Sequence, residues 1–263
     1  MPGHDASRLP LIVAITGATG VIYGVELLRV LKALGQPTHL ILSEAAGMNL
    51  AIETDCSLDE VRALADVVYN NKDVGAAVAS GSFRTRGMIV APCTVKTLSA
   101  IANSFTYNLV VRAADVQLKE GRKLVLMVRE TPLHKGHLDL MARAADCGAV
   151  ILPPMPAFYH RPKSIMDLIH QSLGKALDQV GIEHDLFRRW SGHGEEAREP
   201  RALGPMMLYA ARDGLIEPTD RYASSSRRQS NARHKRVWRS LIFGGARPQP
   251  ARTASLEVLE AVR

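Results

Sequence analysis

The stretch "LPLIVAITGATGVIYGVELLRVLKALG", residues 9–35, decides the fold. Leu9 to Thr16 form a continuous apolar run rather than an alternating one, the mark of a parallel strand buried on both faces. Gly17 to Gly20 break the run. From Val21 to Leu34 apolar residues then recur at helical spacing until Gly35 stops them. A strand, a glycine turn and a helix, in that order, open an open α/β sheet.

Working outward, "THLILS" (38–43), "GMIVAPC" (87–93), "KLVLMV" (123–128) and "AVILP" (149–153) read as four further strands, with helical patterns between them. Strands alternating with helices predict a doubly wound parallel sheet in three α/β/α layers. "SIMDLIHQSLGKALDQVG" (164–181) is the last predicted helix: Ser164 caps it, Asp167 stands three residues on, and Gly181 closes it. This domain is expected over residues 9–190.

Residues 191–263 are expected to form a basic extension. The net charge of +7 is uneven, with 13 Lys/Arg against 8 Asp/Glu from Ser191 onward and 20 against 18 before it. "SSSRRQSNARHKRVWRS" (224–240) has the charge for a nucleic-acid surface, but it lacks aromatics beyond Trp238 and any binding module. A solvated, largely disordered extension with no nucleic-acid partner is therefore expected.

A chain of 263 residues, 46% hydrophobic, can bury a full core. No apolar run approaches the roughly 18 residues of a membrane span. "MPGHDASRLP" (1–10) carries an acid and no apolar core, so no secretory leader or membrane partner is expected, and the cytoplasm is the expected compartment. Cys56, Cys93 and Cys147 have no C-x-x-C pairing and read as free thiols. Cys93, with no base nearby in sequence, reads as a buried small hydrophobe. His134 and His137 lack a third ligand and read as polar helix-start residues, so no metal is expected.

In open α/β sheets, ligands bind beyond the carboxyl ends of the strands. The turn "TGATG" (16–20), at a helix start with its dipole, is there an anion site. Its spacing is not G-x-G-x-x-G, and it suits a nucleotide, a flavin phosphate or no ligand at all. Ser43 ends the second strand. Thr94 and Thr97 follow the third in "APCTVKTLSAIA" (91–102). Each hydroxyl alone is an ordinary helix cap, but together they place donors at three strand ends.

"YHRPK" (159–163) also has the Tyr-x-x-x-Lys spacing of short-chain dehydrogenases. That pair needs a helix to bring phenol and ammonium onto one face, and Pro162, after "PPMP", disfavours one. The turn spacing also differs, and Ser43 stands where an acid would hold a ribose.

The turn, Ser43, "APCTVKTLSAIA", "RAADVQLKEGRKLVLMVRETPLH" (112–134) and "PPMPAFYHRP" (153–162) together closely resemble the flavin prenyltransferases, the UbiX family, over residues 9–190. That resemblance implies a flavodoxin-like or Rossmann-like fold and a homo-oligomer, a dodecamer, that binds reduced FMN and joins a dimethylallyl group from dimethylallyl phosphate to flavin N5 and C6. The product would pass to a prenylated-FMN-dependent decarboxylase, as in ubiquinone or aromatic-acid pathways. The alternatives are a non-catalytic FMN-binding subunit of an aromatic acid decarboxylase and a flavin-dependent cysteine-peptide decarboxylase.

By the resemblance, Gly17, Ala18, Thr19, Ser43, Thr94, Val95, Lys96, Thr97 and Arg129 contact FMN. Glu53 is a carboxylate near the flavin that handles a proton. Arg112, Lys119 and Glu130 serve the donor phosphate and its departure, some of them from a neighbouring subunit, and Tyr159 holds that phosphate. Lys175 stands where arginine is frequent in the family; lysine keeps the charge and loses the bidentate fork, so weaker donor binding is expected. The chain has no DDxxD cluster for magnesium, which agrees with a monophosphate donor and no metal.

Overall fold

The protein's structure, a computed structural model, describes residues 9–190, 211–224 and 234–240. Strand β1 (Leu11–Ile15) is buried at every position and pairs in parallel with β2 (Thr38–Leu42) on one side and β4 (Gly87–Cys93) on the other. Edge strand β3 (Val67–Asn70), β5 (Leu124–Val128) and the short β6 (Val150–Ile151) complete a six-stranded parallel sheet in the order β3-β2-β1-β4-β5-β6. The order reverses between β1 and β4, which opens a crevice at their carboxyl ends.

Alternate residues of each strand face opposite layers. Leu11, Val13 and Ile15 pack with Leu27, Leu28 and Leu31 of α1 (Val21–Ala33) and with Leu173 and Leu177 of α7 (Ile165–Gln179). Ile12 and Ala14 pack on the other face with α4 (Val95–Ala102), α5 (Leu109–Lys119) and α6 (Lys135–Asp146). Ile12 is fully buried, and truncating it to Ala would cost about 2–5 kcal/mol.

Helices α2 (Glu44–Glu53) and α3 (Leu58–Arg62) connect β2 to β3. The predicted final helix is present, with Ser164 accepting from the Asp167 N–H and Asp167 accepting in return from the Ser164 N–H. Two details differ from the sequence reading. β3 was not foreseen, because "VVYN" has no buried face to leave an apolar pattern. β6 is shorter than 149–153, although the Leu152 N–H still donates to the Leu126 carbonyl at 2.9 Å.

The chain divides into two compact units, Met1–Arg189 and Trp190–Arg263. In the second, β7 (Ile216–Ser224) and β8 (His234–Ser240) pair antiparallel. The sequence reading held no strands there, since the charge of these segments masks any apolar alternation. Residues 191–210, 225–233 and 241–263 of the expected extension lie outside the described residues.

Candidate active site

The crevice is fastened by Thr16, a buried hydroxyl at the end of β1. Its Oγ1 donates to the Pro92 carbonyl at 2.7 Å and accepts from the Thr94 N–H at 2.9 Å, tying the ends of β1 and β4 together. Thr16 closes the apolar run that fixed the fold, but its role was missed; a polar residue ending a fully buried strand was the available signal. Gly17 follows, where a Cβ would lie 2.4 Å from Ala45 Cβ, so the turn sits hard against α2. Asn49, also missed, donates from Nδ2 to the Gly17 carbonyl at 3.0 Å. Gly20 has φ +91 and starts α1, a backbone state L side chains rarely adopt.

Ser43 and Thr94 cap α2 and α4, accepting from the Ala46 N–H at 3.1 Å and the Thr97 N–H at 3.0 Å. The capping reading is therefore correct for both; Ser43 keeps its hydroxyl proton to donate, whereas Thr94 gives its own to Thr97 Oγ1, leaving the Thr97 proton to donate. Thr94 Oγ1 lies 3.0 Å from Thr97 Oγ1. Lys96 lies with Nζ 5.3 Å from the Tyr107 ring centre, and Val95 is the first residue of α4. The Arg129 N–H donates to the Cys93 carbonyl at 3.0 Å, placing it at the neighbouring β5 end. Its charge reaches Tyr23 of α1, whose phenol burial pushes up and Arg129 pulls back. Gly17 to Thr19, Ser43, Thr94 to Thr97 and Arg129 thus converge on adjoining strand ends.

Glu53 changes the reading of the anion site. Its Oε2 accepts from the Gly20 N–H at 2.7 Å and the Val21 N–H at 3.1 Å, so the first amides of α1 already hold the protein's own carboxylate. The turn amides of Ala18 and Thr19 have no protein partner among the described residues. Those two amides, the hydroxyls and the Arg129 cation form a donor set that suits a ring carbonyl or phosphate, and FMN fits it.

A second cluster lies elsewhere. Arg112 donates from Nε to the Ala79 carbonyl at 3.1 Å and pairs with Asp115 at 3.1 Å. Lys119 pairs with Glu120 at 2.6 Å against Gly81. Lys119 ends α5 just before β5 begins, so it belongs to the amino edge of the sheet, opposite the crevice. The structure therefore does not bring Arg112 and Lys119 to the flavin turn of their own chain. Glu130 is exposed at the β5 carboxyl end, with Oε1 accepting from the Thr131 N–H at 3.0 Å.

Tyr159 follows β6 on an irregular loop and is 48% exposed. Lys163 precedes α7, so the dehydrogenase pair shares no helix. Lys175 is exposed on α7. Burial pushes the Cys93 thiol up to about 12, an unreactive state. His134 caps α6, its Nδ1 accepting from the Gly136 N–H, and its ring lies tilted against that of His137, centroids 3.6 Å apart. Among the described residues no group of three His, Cys, Asp or Glu could hold a metal ion.

Residues 2–174 match the Flavoprotein family model, which makes this crevice that of a flavoprotein. The chain is 56% identical over 185 residues to flavin prenyltransferase UbiX of Thauera aromatica, covering 70% of this chain and 95% of the relative. AnUbiX (PadA1), solved in complex with FMN and dimethylallyl pyrophosphate, superposes with a TM-score of 0.69 at 50% identity, covering 70% of this chain and 98% of that one. The dodecameric FMN-dependent UbiX-like decarboxylase of Escherichia coli O157:H7 follows at TM-score 0.68 and 48% identity, covering 70% of this chain and all of the other. The chain belongs to the flavin prenyltransferase UbiX family.

Proposed function

We propose that the crevice holds reduced FMN and that the enzyme transfers a dimethylallyl group from dimethylallyl phosphate to it, forming bonds at flavin N5 and C6. The observation that carries this reading is the convergence of the Ala18 and Thr19 amides, the Ser43, Thr94 and Thr97 hydroxyls, Arg129 and the Glu53 carboxylate at the switch point. Bound reduced FMN would supply the nucleophilic ring atoms and a π-face for the cationic allyl fragment.

The chain's own residues must handle charge and protons. Cleaving the allylic C–O bond leaves its electron pair on the phosphate, and preorganised cations and hydroxyls stabilise that growing charge. Arg112, Lys119, Tyr159 and Lys175 serve the phosphate, with Glu130 beside its departure, and no metal is required of them. With FMN bound, the C–N bond at N5 would release the N5 proton, the remaining alkene would take up a proton as the C–C bond at C6 forms, and Glu53 would take the proton that ring carbon C6 gives up. The Gly20 and Val21 amides aim its carboxylate at the turn.

Since Arg112 is anchored to the loop Ala79–Phe83 of its own chain and Lys119 lies against Gly81 of that loop, we propose that they act on the crevice of a neighbouring copy. The assembly would be a homododecamer like the Escherichia coli O157:H7 relative. The prenylated product is passed to a separate decarboxylase. The three free thiols suit the reducing cytoplasm. The test is anaerobic incubation of the purified protein with reduced FMN and dimethylallyl phosphate, followed by mass spectrometry. A flavin carrying an added C5H8 unit is expected, and unmodified flavin after full incubation would refute the reading.

A further inference from the structure

After α7 the chain folds back along that helix. Gly174 makes this possible: a Cβ there would stand 2.5 Å from the Phe187 ring and 2.6 Å from the His184 ring. His184 Nδ1 accepts from the Leu186 N–H, and its Nε2 donates to the Gly174 carbonyl at 2.8 Å with Asp178 Oδ1 at 3.2 Å. This docking delivers Arg189 to Asp178. Nη1 and Nη2 donate to the two carboxylate oxygens at 2.9 and 2.6 Å, a planar fork that fixes the guanidinium, with the Phe187 ring 5.4 Å from it.

Three observations relate this guanidinium to Lys175 and Tyr159. Asp178 follows Lys175 by three positions on α7, so the anchored arginine comes to the neighbourhood of that lysine. The Tyr159 phenol lies within electrostatic range of Arg189. Arginine has five N–H donors in a rigid fork, and one carboxylate does not exhaust them.

We propose that Arg189, held by Asp178, is a donor-phosphate residue of this enzyme and supplies the guanidinium that Lys175 does not. This rests on the prenyl-donor reading of Tyr159 and Lys175. A returning segment can thus restore the bidentate anion grip while Lys175 adds a point charge.

The test uses the full chain and two readouts: the KM for dimethylallyl phosphate in the anaerobic assay, and the calorimetric Kd for inorganic phosphate. Arg189→Met is expected to raise both about tenfold with the FMN Kd unmoved. Adding Lys175→Arg to it should recover most of the loss, because a guanidinium returns one turn away. Arg189→Lys keeps the pair with Asp178 and hence the docked segment, so it remains informative if the methionine variant fails to fold. It is expected to raise the KM about threefold. An unchanged KM in the lysine variant, or a folded methionine variant that Lys175→Arg does not rescue, would overturn the proposal. Absence of prenylated flavin from the unaltered enzyme, with phosphate still bound through Arg189, would overturn the donor reading beneath it as well.

Discussion

The turn Gly17–Gly20 and the loop Ala79–Phe83 are both short glycine-containing connections pinned by long side chains, yet their pins differ in kind. Asn49 and Glu53 hold the turn through one carbonyl and two amides, which leaves the Ala18 and Thr19 amides for a ligand. Arg112 and Arg122 hold the loop through the carbonyls of Ala79, Gly81 and Phe83. There the pins include Arg112, set beside Lys119 away from the strand-end crevice of their own chain. One region is a half-site built to receive a flavin. The proposed function makes the other a half-site presented to a neighbouring copy.

The comparison can be broken at either region. Glu53→Gln keeps an oxygen for the α1 amides but loses the base, and kcat is expected to fall by at least about 100-fold with FMN still bound, as fluorescence quenching would report. Lys119→Ala should lower kcat/KM for dimethylallyl phosphate by about 100-fold and leave the FMN Kd within about twofold; a large loss of FMN affinity would show that Lys119 belongs to the flavin half. Gly17→Ala drives a methyl into Ala45, and a loss of about 1–3 kcal/mol in stability, with FMN affinity weakened about tenfold, is expected in denaturant titrations.

The smallest effect concerns pH. His39 lies 5.4 Å from the Phe83 ring of the loop, and burial holds its pKa below the ordinary histidine value, with Asp66 opposing. The unfolded chain then binds more protons than the folded one over that interval. Stability is therefore full above about pH 6.5 and falls as the pH drops toward the lower folded value. Melting temperatures from pH 7.5 to 5.5 should decline less steeply for His39→Gln than for the unaltered protein.

Much of this was legible from the chain. The apolar run Leu11–Ile15 and its glycine stop fix a buried central strand, and the crevice follows from the topology. The hydroxyls of Ser43, Thr94 and Thr97 could be placed at strand ends because strand and helix starts leave periodic signals. Glu53 could not be placed on the α1 amides, since that contact joins residues 33 apart and no local pattern encodes it. Arg112 and Lys119 look like ordinary helix-surface cations, and only the family resemblance singled them out. Strand β3 and the β7–β8 ribbon were missed for a related reason: β3 has no buried face, and the charged ribbon segments show no apolar alternation.

The division into a receiving and a presenting half-site is tested most directly by mixing subunits. Glu53→Gln and Lys119→Ala proteins, each nearly inactive alone, are dissociated, combined and reassembled, and prenylated flavin is measured. Mixed assemblies should regain a substantial share of the unaltered activity, because some crevices then pair an intact Glu53 with an intact Lys119 from another chain. Activity no greater than the sum of the two separate variants, in reassembled oligomers of confirmed mixed composition, would contradict the account.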